Sequence, residues 1–175
     1  MTTYLSNDKI TLRALEPEDL EIMFRWENDS EFWKYGSTLE PYSKYLIKQY
    51  IAYSDKTIYE KKQLRLIIEL KNKSVIGCID LFDFDAHHSR AGIGLLIDRN
   101  FQHQGFADMA LKLLCHYAFS FLQLHQLYAH IPATNAYCLQ LFRHNNFSEC
   151  GIFKEWLHNE NAFTDVHVFQ KIAAK

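Results

Sequence analysis

Residues 91–118 read AGIGLLIDRNFQHQGFADMALKLLCHYA, an apolar run built on small residues that breaks into a polar loop and resumes as an amphipathic helix. Gly92, Ile93, Gly94, Leu95, Leu96 and Ile97 have the character of a buried strand, Asp98 to Gln104 is the turn, and Ala110, Leu113, Leu114, Tyr117, Ala118 and Phe121 recur at helical spacing. A helix that opens just after Gln104-Gly105 aims its first unpaired N–H groups, and the positive end of its dipole, into the loop. Such an arrangement suits an anion and is large enough in its donor set for a pyrophosphate. Two nucleotide-binding motifs do not account for it. The dinucleotide fingerprint needs three glycines at GxGxxG spacing and the phosphate loop of ATPases needs GK[ST], whereas Gly92-Ile93-Gly94 lies inside the strand and is followed by Leu95, Leu96 and Ile97. An ordinary strand-loop-helix connection, with Gly105 merely relieving a turn, stays open at this level.

A chain of 175 residues, 48% of them apolar, suits one domain spanning 1–175 with a core of its own. The formal net charge of −2 argues against broad nucleic-acid binding, a local basic patch aside, and favours a neutral or cationic small substrate. Cys78, Cys115, Cys138 and Cys150 show no CxxC spacing, and the amino-terminal MTTYLSNDK has no apolar signal region, which points to a cytoplasmic protein with reduced thiols. No apolar run approaches membrane-spanning length, so no membrane partner is expected. The nine histidines include His87-His88 and the scattered His103, His116, His125 and His130, with no HExxH or Cys/His knuckle, and no metal site is expected.

The periodicity predicts a strand over residues 9–14, a helix from Glu16-Pro17-Glu18-Asp19 to about Asp29, and a second helix after Pro41 carrying Tyr45, Leu46, Tyr50 and Ile51. Residues 64–70 and 75–82 read as a hairpin closed by Lys71-Asn72-Lys73-Ser74, followed by a strand over 90–97. A long helix over about 105–122, a strand over 127–131 and a short helix over 135–145 come next, the last stopped by Asn145-Asn146. Strands near 150–157 and 163–172 flank the turn His158-Asn159-Glu160-Asn161.

In this order, the opening Ile10-Thr11-Leu12-Arg13 with Pro17-Glu18-Asp19-Leu20, then Trp26-Glu27-Asn28-Asp29, Ile76-Gly77, Gly105-Phe106-Ala107 and NAYCLQLFRHNNF over 135–147 carry a resemblance. Over nearly its whole length the chain resembles the GNAT-superfamily N-acetyltransferases, nearest the branch that holds spermidine and ribosomal-protein N-terminal acetyltransferases. The resemblance implies an α/β fold with a mixed, largely antiparallel central sheet flanked by helices, and a splayed strand pair that receives the acyl-CoA arm. It implies that Leu95, Leu96 and Ile97 expose backbone groups to that arm and that Gln102, His103, Gln104, Gly105, Phe106 and Ala107 wrap the pyrophosphate of acetyl-CoA. Gln102, Gly105 and Ala107 satisfy the family's (Q/R)-x-x-G-x-(G/A) pattern; His103 stands where a second glycine is common, and Asp108 where a hydroxyl often helps. An acid there departs from the family and also reads as a first-turn complement to the helix dipole. Asn135 matches the asparagine that meets the arm near the acetyl end, with a plain helix cap as the alternative. Phe142 falls beside the thiol and Arg143 toward the nucleotide, with core packing as the alternative for Phe142.

Acetylating an amine poses two proton problems. An alkylamine of pKa near 10.4 is about 3.4 units from neutrality at pH 7, so presenting the free base costs roughly 4.6 kcal/mol. The thioester oxygen needs an N–H donor, here from the strand around Leu96 or Ile97, and the departing thiolate needs an acid. Many relatives place a tyrosine at the position of Phe142, and phenylalanine cannot donate a proton. Cys138, which stands where the ribosomal-protein branch has a serine, and Tyr137 are the candidate acids; each also reads as packing. Glu27, Asp29 and Glu31, with Glu69, Asp80 and Glu155 on strands, are candidate acids for a cationic acceptor, or else solvated charges. Trp26, Trp33, Tyr35 and Trp156 are candidate walls. The chain reads as an acetyl-CoA-dependent N-acetyltransferase acting directly, in a ternary complex, on a primary amine of a polyamine or diamine. The alternatives are a protein N-terminal acetyltransferase and a non-catalytic acyl-CoA-binding module. Its partner would be a small-molecule amine or a protein N-terminus, with no nucleic acid and no membrane, and a homo-oligomer is admitted.

Overall fold

A computed structural model describes residues 4–36, 38–159 and 161–174. One seven-stranded sheet runs in the order β1-β2-β3-β4-β5-β7-β6, where β1 is Ile10–Ala14, β2 Leu64–Leu70, β3 Val75–Asp85, β4 Arg90–Ile97, β5 Gln126–Pro132, β6 Ser148–Asn159 and β7 Ala162–Ile172. Every neighbouring pair is antiparallel except β4 and β5, which are parallel and are joined across the sheet face by α5, Phe106–Ser120. Helices α1 (Leu20–Glu27), α2 (Ser30–Trp33), α3 (Lys44–Ala52) and α4 (Ile58–Lys61) connect β1 to β2, and α6 (Ala136–His144) connects β5 to β6. The mixed, largely antiparallel sheet expected from the sequence is therefore observed. Glu160, of the expected last turn, lies outside the described residues.

Strand alternation sorts the core into two layers. On β2, Leu66 and Ile68 pack with the α5 side, together with Ile79 and Leu81 of β3, while Ile67 turns to the opposite face with Met23, Trp26, Ile47, Ile51 and Cys78. On α5 the buried stripe is Ala107, Ala110, Leu111, Leu114, Cys115 and Ala118. It is rotated from the expected face: Leu111 is fully buried and Phe121 is 58% exposed. Phe121 sits at the C-cap, beyond the last helical turn, so helical periodicity no longer directs it inward. Full burial of Leu111 and Leu114 contributes about 1.5–3 kcal/mol each.

Capping explains the other differences. The expected helix over 16–29 is a 3₁₀ turn, Pro17–Asp19, followed by α1 and then a separate α2. Asp29 takes an extended conformation (φ −81°, ψ 107°) and its carboxylate accepts the Glu31 N–H, which starts a new helix. Helix α4 was not anticipated; its start is a reciprocal cap in which Thr57 accepts the Glu60 N–H and Glu60 accepts the Thr57 N–H. β3 extends past Phe82 to Asp85 through an irregularity at Asp83, whose φ is +47°. Asn146 closes α6 in the left-handed region at φ +60°, as its position after Asn145 suggests.

Candidate active site

The parallel pair at the middle of the sheet opens almost as soon as it forms. β4 and β5 are in register only at Arg90↔Gln126, Ala91↔Leu127 and Gly92↔Tyr128. Beyond Gly92 the two strands part, while Leu95, Leu96 and Ile97 remain paired on their other edge to Ile79, Cys78 and Gly77 of β3. A fork of this kind leaves backbone N–H and C=O groups of β4 facing open space, where an extended polar ligand can pair with them. At the fork, a Cβ on Gly92 would stand 2.4 Å from the Phe82 ring. The missing side chain is what lets Phe82 and Tyr128 meet edge to face with centroids 5.9 Å apart.

The fork continues into the loop before α5. His103 (φ +59°) and Gly105 (φ +83°) both take left-handed conformations, Gly105 as the N-cap of α5. These two left-handed residues turn the chain from β4 into α5. From His103 through Asp108, no backbone N–H donates to a protein acceptor among the described residues. The side chains of the loop secure its shape: Gln102 Nε2 donates to Ile97 O at 2.9 Å and Gln104 Nε2 to Asn100 O at 3.2 Å. Asp108 faces away, taking Asn145 Nδ2 at 2.9 Å and Lys112 Nζ at 2.7 Å. Burial pushes the Asp108 carboxyl up, but these two donors outweigh it and hold its pKa below the ordinary value.

A cavity of about 500 Å³ opens from the fork and loop toward α1 and α2. On the loop side it is lined by Leu95, Leu96, Ile97, Gln102, His103, Phe106 and Ala107, and by Asn135, Tyr137 and Cys138 at the start of α6. The residues expected to hold acetyl-CoA thus converge, with four exceptions. Gln104 and Gly105 shape the loop without lining the cavity. Phe142 is buried against Phe147 (4.9 Å) and Phe169 (6.4 Å). Arg143 pairs with Glu149 at 2.8 Å and lies over the Phe169 ring, because its position on α6 turns it toward β6 and β7. The Asn135 carboxamide accepts the Cys138 N–H at 3.2 Å and so caps α6. Burial raises the Cys138 thiol to about 11 and raises Tyr137 above its ordinary value; the Tyr137 ring meets His103 edge-on at 5.2 Å.

Toward α1 and α2 the cavity is walled by Trp26, Phe32, Trp33 and Tyr35 and carries Glu27, Asp80 and Arg65. Of the six acids expected there, Glu27 and Asp80 reach the cavity. The other four do not. Asp29 is spent on the α2 cap and on Arg99 at 2.5 Å, and Glu31 on Lys34 at 2.6 Å. Glu69 sits farther along β2, between Arg13 (2.7 Å) and Lys73 (3.1 Å). Glu155 is exposed on the edge strand β6, with its N–H donated to Asp165 at 2.8 Å. Trp156, expected as a wall, is 61% exposed and packs on Phe153 instead.

Phe32 and Phe101 on the cavity wall were not anticipated, nor were two charged residues at or beside it. Arg65 lies opposite Asp80 in the β2–β3 register, and an arginine facing an aspartate inside a buried hairpin is the signal that could have found it. Asp98 ends β4 as a buried carboxylate that accepts Trp26 Nε1 at 2.9 Å, Arg25 Nη2 at 2.7 Å and the Asn100 N–H at 3.1 Å. Through it, and through Arg99 on Asp29 and over the Phe32 ring, the loop end of β4 is strapped to α1 and α2.

Residues 9–148 match the acetyltransferase (GNAT) domain family. The spermidine N(1)-acetyltransferase of Vibrio cholerae serotype O1 is 28% identical over 160 residues, covering 91% of this chain and 91% of that protein. A crystal structure of spermidine N-acetyltransferase from Vibrio cholerae in complex with CoA and spermine superposes with a TM-score of 0.84 at 26% identity, covering 95% of this chain and 96% of that one. A dodecameric structure of the Vibrio cholerae enzyme in an intermediate state gives a TM-score of 0.78 at 25% identity, with 95% of each chain covered. No helix among the described residues is long and apolar enough to cross a membrane.

Proposed function

The chain belongs to the GNAT acetyltransferases and is an acetyl-CoA-dependent N-acetyltransferase, and from that premise we propose that its acceptor is a primary amine of a linear polyamine or diamine. The observation that carries the acceptor class is a cavity that sets two carboxylates, Glu27 and Asp80, among the aromatic walls Trp26, Phe32, Trp33 and Tyr35. Carboxylates attract an ammonium, and aromatic faces accept the methylene chain and the cation alike.

Acetyl-CoA supplies the activated thioester. The unpaired N–H groups of residues 103–108 would hold its pyrophosphate, and the free edge of β4 around Leu95, Leu96 and Ile97 would pair with its arm. A backbone N–H of that edge would stabilise charge on the carbonyl oxygen. Asn135 would orient the arm at the mouth of α6. Glu27 and Asp80 would draw the cationic acceptor in, and a cavity carboxylate would receive the proton the attacking nitrogen must lose. Cys138 or Tyr137 would donate to the sulfur as it leaves, since Phe142 has no proton to give and is turned into the core. A homo-oligomer fits the dodecameric relative.

The second reading is acetylation of a protein N-terminus. Comparative kcat/KM for a linear diamine, a triamine and short N-terminal peptides separates the two. Preference for the amines supports the proposal; preference for the peptides replaces it with the second reading.

A further inference from the structure

Arg65 is the one cation of the described cavity lining whose part in acceptor binding is undefined, and its contacts define one. Its Nε donates to Asp80 Oδ1 at 2.8 Å, Nη2 to Asp80 Oδ2 at 2.7 Å, and Nη1 to Glu27 Oε1 at 2.5 Å. The fork therefore occupies both Asp80 oxygens and one of Glu27, leaving Glu27 Oε2 with no protein donor among the described residues. The Tyr50 ring covers the guanidinium at 5.4 Å. Behind it lies a second hollow of about 270 Å³, bounded by Tyr50, Lys61 and Gln63, and Arg65 lines both spaces.

Two carboxylates and one guanidinium leave the acceptor cavity with one net negative charge, and the guanidinium stands between the cavity and the hollow behind it. We propose that Arg65 is the specificity-determining residue of the acceptor cavity: it cancels the Asp80 charge and closes the inner end, so the site takes one ammonium besides the reacting amine and leaves any further ammonium outside. This inference rests on the polyamine-type acceptor and names what distinguishes one such acceptor from another. Lysine can keep the charge but not the planar fork, and glutamine can keep a hydrogen bond but not the charge.

The test is equilibrium binding of a linear diamine, triamine and tetraamine to the CoA-loaded protein, for the parent, Arg65→Gln, Arg65→Lys and the double variant Arg65→Gln/Glu27→Gln. Arg65→Gln adds a net negative charge a few ångströms from the bound chain and is expected to raise tetraamine affinity relative to diamine by on the order of tenfold, more at low salt. Arg65→Lys keeps the parent ratio, and the double variant, restored to one net negative charge, returns to it. A ratio unchanged in Arg65→Gln, or not restored in the double variant, overturns the inference. An uncompensated buried carboxylate can prevent Arg65→Gln from folding. Glu27→Gln alone then decides: with no net charge left, it must lose affinity for all three amines, and unchanged affinity overturns the inference. Turnover of the parent with the same amines reads the function separately. Binding without acetylation defeats the polyamine reading, whereas turnover with an unmoved ratio in Arg65→Gln defeats only the role of Arg65.

Discussion

Replacing Cys138 tests how the thiolate leaves an enzyme whose Phe142 is turned into the core. Burial raises the Cys138 thiol to about 11, so it remains protonated through neutral pH and is available as a donor. An ordinary thiol titrates near 8.5, and complete proton transfer from Cys138 to such a thiolate is uphill by about 2.5 units, roughly 3.4 kcal/mol. As the donor, Cys138 would therefore hydrogen-bond the developing charge rather than transfer its proton fully, which places the expected effect at the lower end of positioned acids, about 10²-fold. Cys138→Ala should lower kcat by up to that factor, Cys138→Ser should retain part of it through its hydroxyl, and Tyr137→Phe should be nearly silent. The reverse pattern assigns the role to Tyr137, whose pKa burial also raises. The assay is steady-state thiol release at saturating acetyl-CoA, with single-turnover rates showing that chemistry is the slow step. If Cys138→Ala and Tyr137→Phe both keep full turnover under that condition, neither side chain is the acid and the thiolate leaves unassisted or to water.

Gly105→Pro removes a loop N–H and cannot adopt φ +83°, so calorimetry should show strongly weakened acetyl-CoA binding with the fold retained by circular dichroism. Asn135→Ala should lower turnover and, by removing the α6 cap, also lower unfolding stability by about 1 kcal/mol in denaturant titration. Burial opposes ionisation of Asp98, but the Trp26 indole, the Asn100 amide and Arg25 outweigh it and hold its pKa below the ordinary carboxylate value. Its folded pKa being lowered, Asp98 contributes stability that is present above the unfolded value near 3.9 and is lost as pH falls through the folded one. In Asp98→Asn the acid-side slope of unfolding free energy against pH should therefore flatten, and an unchanged slope would remove Asp98 from that role.

The sheet and the loop before α5 were legible because they follow from local rules. The β-rich run Leu64–Leu70 with its polar turn, the strand-loop-helix order and the glycine before α5 each speak within a few residues of themselves. What stayed hidden depends on which partner a side chain meets across the fold. Glu27 and Glu31 look alike in sequence, yet one reaches Arg65, 38 positions away, and the other pairs with Lys34 on its own short helix. Arg65 reads as a charge in a strand until the hairpin register sets it opposite Asp80. Phe142 and Cys138 share α6, and only the packing of Phe147 and Phe169 shows that one faces the core while the other faces the cavity.

The most direct measurement incubates the protein with acetyl-CoA and a linear triamine, then counts free thiol and, by mass spectrometry, acetylated amine in the same sample. One thiol is expected for each monoacetylated triamine, with no lasting acetyl group on the protein, as direct transfer in a ternary complex requires. Thiol release without acetylated amine, or acetylated peptide in a mixture where the triamine is left untouched, would contradict it.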